Sequence, residues 1–337
     1  MKQTIYSLIL LALLANCKFV AAQSDYQIER KIPVEGDGFW DYISVDEQNN
    51  HIFASHGTVA QVIDITTGKL VGTIPDTKGI HGIAIAPDLN KGFTSNGRDS
   101  SVTVFDLKTL KVLTVIKVTG ANPDAILYDA FSKKVFTFNG RSANATVIDA
   151  MENKVIATIP LDGKPENTVT NGKGTVYVNI EDKSYINAIS TKDLKVINRW
   201  PIAPGEEPSG LALDNETHRL FSVCGNKLMV ITDAETGKVI TTVPIGDHCD
   251  GAAFDPETKC AYSSNGEGTI TVVQEVDENT FKLLGNVTTQ TGARTIALNK
   301  KNHHLYLPTA EYGEPAPGQN RPSVKPGTFV ILDVAQK

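Results

Sequence analysis

The chain has 337 residues, 41% of them hydrophobic, with 38 Asp and Glu against 32 Lys and Arg and a net charge of −6. That length holds one large domain or two ordinary ones, with enough apolar residues for a sizeable core. The acid excess and the lack of any Lys/Arg cluster argue against nucleic acid as a partner.

The N-terminus reads as an export signal over residues 1–22, leaving a single domain over 23–337. Lys2 carries the positive charge, "LILLALLA" (8–15) is the apolar stretch, and Val20 and Ala22 fit a cleavage site before Gln23. "LLANC" offers the alternative of lipidation at Cys17, although Asn16 replaces the small residue usual there. No run is long enough to span a membrane. A periplasmic or secreted location follows, with lipid anchoring through Cys17 as the variant.

A strand-like segment, "IERKIPV" (28–34), comes next, and then a repeat begins. "QVIDITTGKLVGTIP" (61–75) returns as "TVFDLKTLKVLTVIK" (103–117), "TVIDAMENKVIATIP" (146–160) and "MVITDAETGKVITTVP" (229–244). The spacing is near 42 residues and no helical stripe persists. That period predicts a β-propeller with four antiparallel strands per blade. Innermost strands start near Tyr42, Ile83, Ala125, Thr168, Leu211, Ala252 and Thr295, which gives seven blades. The leftover first strand and the final "FVILDV" (329–334) predict that the N-terminal strand completes blade seven.

Strand alternation places the loop leading into each innermost strand on one face of the disc. The expected inner circle is Asp41, His81, Asp124, Asn167, Ser209, Asp250 and Arg294, with Trp40 and His248 beside it. A wider circle adds His56, Arg98, Arg141, Glu181, Glu267, Glu311 and Tyr312. His56, His81, His248 and Asp250 are candidate ligands for a divalent metal ion. Arg98, Arg141 and Arg294 could clamp an anion. Cys224 and Cys249 are expected on the same face of adjacent blades, close enough for a disulfide in an oxidising compartment. His303 and His304 read as solvated turn residues on the opposite face. The insert 308–327, rich in Pro and Gly, lies over the polar face as a lid or docking loop. No nucleophile elbow or phosphate-binding loop is present.

The strings "TVIDAMENKVIATIPLDGKP", "VYVNIEDKSYI", "AAFDPETKCAYSSNGEGTITVV" and "PGTFVILDV" resemble the YVTN-type repeats of the YncE-like β-propeller family, exported and surface-layer-associated bacterial proteins. The likeness runs over residues 26–334, with "YVNI" (177–180) and "YSSN" (262–265) in place of the YVTN tetrapeptide. It implies the propeller fold and export, and little about activity, since one fold hosts many functions.

The expected function is a monomeric, exported binding or scaffold protein. It would hold a small ligand, an envelope component or a protein partner at the polar channel mouth. The alternative is a metal-dependent, lactonase-like hydrolase on the same face, using Asp41, Asp124, Asn167, Asp250 and Glu267. A redox centre is disfavoured by the scarcity of Met, 3 in the chain, and by the lack of a clustered Cys/His motif.

Overall fold

The computed structural model describes residues 25–36, 38–315 and 322–337. The export signal, Cys17 and the tip of the blade-seven insert fall outside these residues. Among the described residues the chain forms seven four-stranded antiparallel sheets and one two-stranded hairpin. Each sheet is a blade of a closed propeller.

Blade one contains the strands Ile43–Asp46, His51–His56, Val59–Asp64 and Leu70–Ile74, ordered from the axis outwards. Blades two to six repeat this order, with innermost strands Ile80–Ala86, Pro123–Asp129, Pro165–Thr170, Pro208–Asp214 and Cys249–Asp255. The composition explains the layering. Second and third strands are buried along most of their length, as in Val59–Asp64, whose four central positions are all buried. Outermost strands alternate exposed positions with partly or fully buried ones, as in Lys154–Pro160.

The turn between third and fourth strands is closed by an aspartate. Asp64, Asp106 and Asp233 each accept a hydrogen bond from a Thr amide three residues on, at 2.7, 2.7 and 2.8 Å. The chain then takes one left-handed residue. Gly68 and Gly237 fill it with φ of +68° and +75°. Leu110, Asn153 and Leu194 fill it elsewhere, at a cost of roughly 1 kcal/mol for a residue such as leucine.

Blade seven is built from both ends of the chain. Its order is Ala297–Asn299, His304–Thr309, Val330–Gln336 and, outermost, Tyr26–Pro33. Ile32 pairs with Ile331 and Arg30 with Asp333, where an ion pair of 3.1 Å also joins the strands. Seven apolar clusters fill the gaps between blades, each shared by two neighbours. An open array of seven sheets has only six such gaps. The cluster of Ile32, Tyr306, Phe329 and Ile331 with Ile43, Ile52 and Ile63 is the seventh, and it closes the ring.

The face opposite the polar circle departs from expectation. His303 and His304 are paired rather than merely solvated. His303 Nδ1 lies 2.7 Å from the buried Asp255 of blade six, and His304 Nδ1 lies 2.6 Å from Asp333. Glu275, between blades five and six, is only 4% exposed, and neither of its carboxylate oxygens reaches a donor at hydrogen-bond geometry. Burial pushes its carboxyl up to about 7, and the charge of Asp214 adds to that rise.

Two outcomes follow. Ile32→Ala is expected to lower the unfolding free energy by about 2–5 kcal/mol. Glu29→Ala, exposed on the same strand, should stay within about 0.5 kcal/mol. Urea titrations giving equal, small effects would mean that the first strand does not hold the ring. For Glu275, the unfolded carboxyl ionises from its ordinary value of 4.5, while the folded one stays protonated up to about 7. Stability therefore falls as pH rises through that window and stays lower above it. Glu275→Gln should raise the melting temperature at pH ~8.5 and leave it unchanged near pH ~4.5.

Candidate channel-mouth site

Five innermost strands carry a β-bulge at their start. In blade three, Pro123 pairs with Asn139 and Ile126 with Thr137, so Asp124 and Ala125 face one residue of the neighbouring strand. The same irregularity holds His81, Ser209 and Asp250. A bulge bends the strand and re-aims its side chain, here towards the channel mouth. In blade four the bulge follows Pro165, so the slot belongs to Glu166, and Asn167 is one residue further on. Asn167 instead accepts a hydrogen bond from the Thr168 amide at 2.6 Å. The prolines of "NPD", "KPE" and "EPS" carry the correct alignment; the apolar run that follows them does not.

Short side chains tie one blade's inner strand to the next. Ser44 donates to the Ile83 carbonyl at 2.6 Å, Ser209 to the Cys249 carbonyl at 3.1 Å and Ser264 to the Arg294 carbonyl at 2.5 Å. Asn179 donates to the Ser209 carbonyl at 3.0 Å, and Thr295 to the Asp41 carbonyl at 2.6 Å. Ser95 donates to the Asp124 carbonyl. The backbone beneath the polar circle is therefore fixed.

The side chains above it form a string of alternating charge across five blades. Asp124 Oδ1 lies 3.6 Å from His81 Nδ1, which donates to Asp41 Oδ2 at 2.7 Å. The other oxygen of Asp41 lies 3.6 Å from Arg294 Nη2, and Arg294 Nε donates to Asp250 at 2.7 Å. In blade four, Lys164 pairs with Glu166 at 2.8 Å and also with Glu181. Burial pushes Asp124 up to about 7, Glu166 to about 8 and Asp250 to about 6, with neighbouring carboxylates adding to each. Burial pulls His81 down, yet its hydrogen bond to Asp41 and the nearby acids hold it above the ordinary histidine value. Tyr42 is raised well above its ordinary value by burial first, and then by the charges of Asp124, Glu166, Asp41 and Asp250. Sequence reasoning missed Lys164 and Glu166 as members of this group.

Other expected members lie elsewhere. Trp40 is buried, its ring 5.4 Å from Phe329 and 6.2 Å from Tyr312. His56 stacks on Phe329 at 4.2 Å and donates to Gln61 at 2.8 Å. His248 has 78% of its side chain exposed and lies 3.5 Å from Asp247. One group of potential metal ligands comes together among the described residues: Asp41, His81 and Asp124. His56, His248 and Asp250 do not join it. Arg98 and Arg141 are exposed, and Arg294 is paired with Asp250. Glu267 sits on the exposed rim, where it accepts from Thr269 at 2.9 Å.

The cysteines correct a second expectation. Cys224, Cys249 and Cys260 are all free and buried. The Cys249 thiol donates to the Cys224 carbonyl at 3.1 Å, so these two residues are neighbours without a bond between them. Burial pushes both thiols up to about 12 and keeps them neutral.

The blade-seven insert is shorter than expected at its start, because Pro308 and Thr309 belong to the strand His304–Thr309. Tyr312–Pro315 and Pro322–Val324 pair as a hairpin. At its base Glu311 and Lys325 form an ion pair of 3.1 Å. Tyr312 leans on Trp40, so the hairpin is anchored at the seam between blades seven and one.

Asp250 and Arg294 are both partly exposed, so a double-mutant cycle on Asp250→Ala and Arg294→Ala should show a coupling of about 1 kcal/mol. Additive losses would mean that this pair does not help to hold the string of charges together.

No family profile matches the sequence. A WD repeat-containing protein of Dictyostelium discoideum, AAC3, is 30% identical over 105 residues, which cover 30% of this chain and 22% of that protein. The RRP9 WD40 repeats superpose with a TM-score of 0.78 at 9% identity, covering 94% of this chain and 99% of that one. A chain of Kuenenia stuttgartiensis hydrazine synthase gives a TM-score of 0.69 at 18% identity, covering 81% of this chain and 94% of its own. The chain is a seven-bladed β-propeller whose structural neighbours include WD40-repeat proteins.

Proposed function

We propose that the chain is a binding propeller of the YVTN-repeat type, exported from the cell, and that its channel mouth holds a small ligand bearing positive charge. The observation that carries this reading is the string of Asp124, His81, Asp41, Arg294 and Asp250, from five blades, with Glu166 at the matching bulge position of blade four. Glu181 adds a fifth carboxylate, while Arg294, Lys164 and His81 are the only basic groups paired with these acids among the described residues. Acid is in excess, so a cationic ligand fits better than an anion. The rigid ring beneath it supplies the preorganisation that binding needs. The hairpin at the seam offers a rim contact for a larger partner.

The hydrolase alternative is less well supported. Of its five expected groups, Asp250 is engaged by Arg294, Asn167 by a backbone amide and Glu267 by Thr269. Only Asp41 and Asp124 share a centre.

Native mass spectrometry of protein purified from its source without chelator tests the reading. A bound adduct is expected on the wild type, reduced at least 10-fold in occupancy in the Asp124→Asn, Glu166→Gln double variant and retained in Asn167→Ala. An adduct indifferent to Asp124 and Glu166 would overturn the assignment of this face. The same spectra read the processing: a chain beginning at Gln23 matches signal removal, and a lipid on Cys17 matches anchoring. A chain that retains residues 1–22 would contradict export.

A further inference from the structure

We propose that Asp41, His81 and Asp124 together form a site for one divalent transition-metal ion at the channel mouth. The inference rests on the binding reading above and names its ligand class.

The three residues come from adjacent blades, and one ligand atom from each lies within 4.8 Å of the other two. Metal–ligand bonds of about 2.0–2.2 Å in a tetrahedral site place donors roughly 3.5 Å apart, so a small rotation of each side chain completes the geometry. The supporting backbone is already fixed. The Asp41 amide donates to Ser55 at 2.8 Å, Gly82 next to His81 donates its amide to Ser95 at 2.8 Å, and Ser95 also holds the Asp124 carbonyl. Arg294 approaches one oxygen of Asp41 at 3.6 Å and leaves the other turned to His81. That is how an outer partner orients a ligating carboxylate.

A second observation points to a cation in particular. His81 Nδ1 faces two carboxylates but carries at most one proton, which goes to Asp41 at 2.7 Å. Asp124 remains 3.6 Å away with only 16% of its side chain exposed. Among the described residues, no hydrogen-bond donor reaches either of its oxygens. An ion bonded to Nδ1 and to both carboxylates would give Asp124 the partner that the protein itself does not supply. The imidazole favours zinc, cobalt or nickel over calcium, magnesium and manganese, which prefer oxygen-rich shells. Three protein ligands leave a fourth position for water or for part of a larger ligand.

Gly97 leaves room for the ring. A Cβ at this position would lie 2.6 Å from His81 Nε2. Gly97→Ala therefore displaces the imidazole without removing a ligand.

The test uses the full mature chain, stripped with chelator and titrated with zinc, manganese, cobalt and calcium chlorides by calorimetry. Cobalt absorption and manganese paramagnetic resonance report the ligand set. One equivalent of zinc or cobalt is expected. Binding should weaken at least 100-fold in His81→Ala and in Asp124→Asn, and roughly 10-fold in Gly97→Ala. It should be unchanged in His248→Ala and Asn167→Ala. Circular dichroism and melting curves must show that each variant is folded; should His81→Ala fail to fold, Gly97→Ala and Asp124→Asn carry the comparison. Failure of stoichiometric binding, affinity indifferent to His81 and Asp124, or loss in His248→Ala would overturn the site. An organic adduct that is lost with Asp124 and Glu166, while zinc fails to bind, would overturn this inference and leave the binding reading standing.

Discussion

Everything at the channel mouth depends on one strand pairing, between Tyr26–Pro33 and Val330–Gln336. Without it, blade seven has three strands and two blades lose their shared core. With it, each blade is buried on both faces and no inner strand has freedom to tilt. The seam lies beside the site. Arg294 of blade seven meets Asp41 of blade one there, and the Thr295 hydroxyl bonds the Asp41 carbonyl at 2.6 Å. Closure therefore supplies stability and also brings residues some 250 positions apart into one electrostatic unit.

That unit is organised as a relay of charges, not as a set of separate pairs. Asp124, His81, Asp41, Arg294 and Asp250 alternate in sign, so each group is held by its neighbours. Burying charge in this way costs solvation, and the cost is recovered only where partners are complete. The relay is complete from Asp41 to Asp250. It is incomplete at Asp124, where acids outnumber donors, and there the fold invites an added cation. The opposite face uses the same chemistry for architecture. Asp255 with His303, and Asp333 with Arg30 and His304, join strands and blades.

Blade number, strand order and the closing strand were legible in the sequence because each follows from period and alternation, which are properties of the backbone. Asp41, His81, Asp124, Asp250 and Arg294 were legible for the same reason: their position in the repeat fixes the face they occupy. Glu166 was misassigned to Asn167 because apolar runs tolerate a one-residue shift, whereas a bulge does not. His56 and His248 have suitable loop positions but the wrong surroundings. Phe329 captures the first ring, and the second residue has a φ of +57° and an exposed side chain. The free state of Cys224 and Cys249 depends on thiol geometry that sequence spacing does not encode.

Native-state hydrogen exchange along the first strand tests the central claim most directly. If closure is the constraint that organises the ring, the paired amides of Tyr26–Pro33 exchange with the same opening free energy as those of Val102 and Val147 in the interior of blades two and three. Rapid exchange confined to Tyr26–Pro33, with blades two to six still protected, would show a ring that stands without its closing strand and would contradict the account.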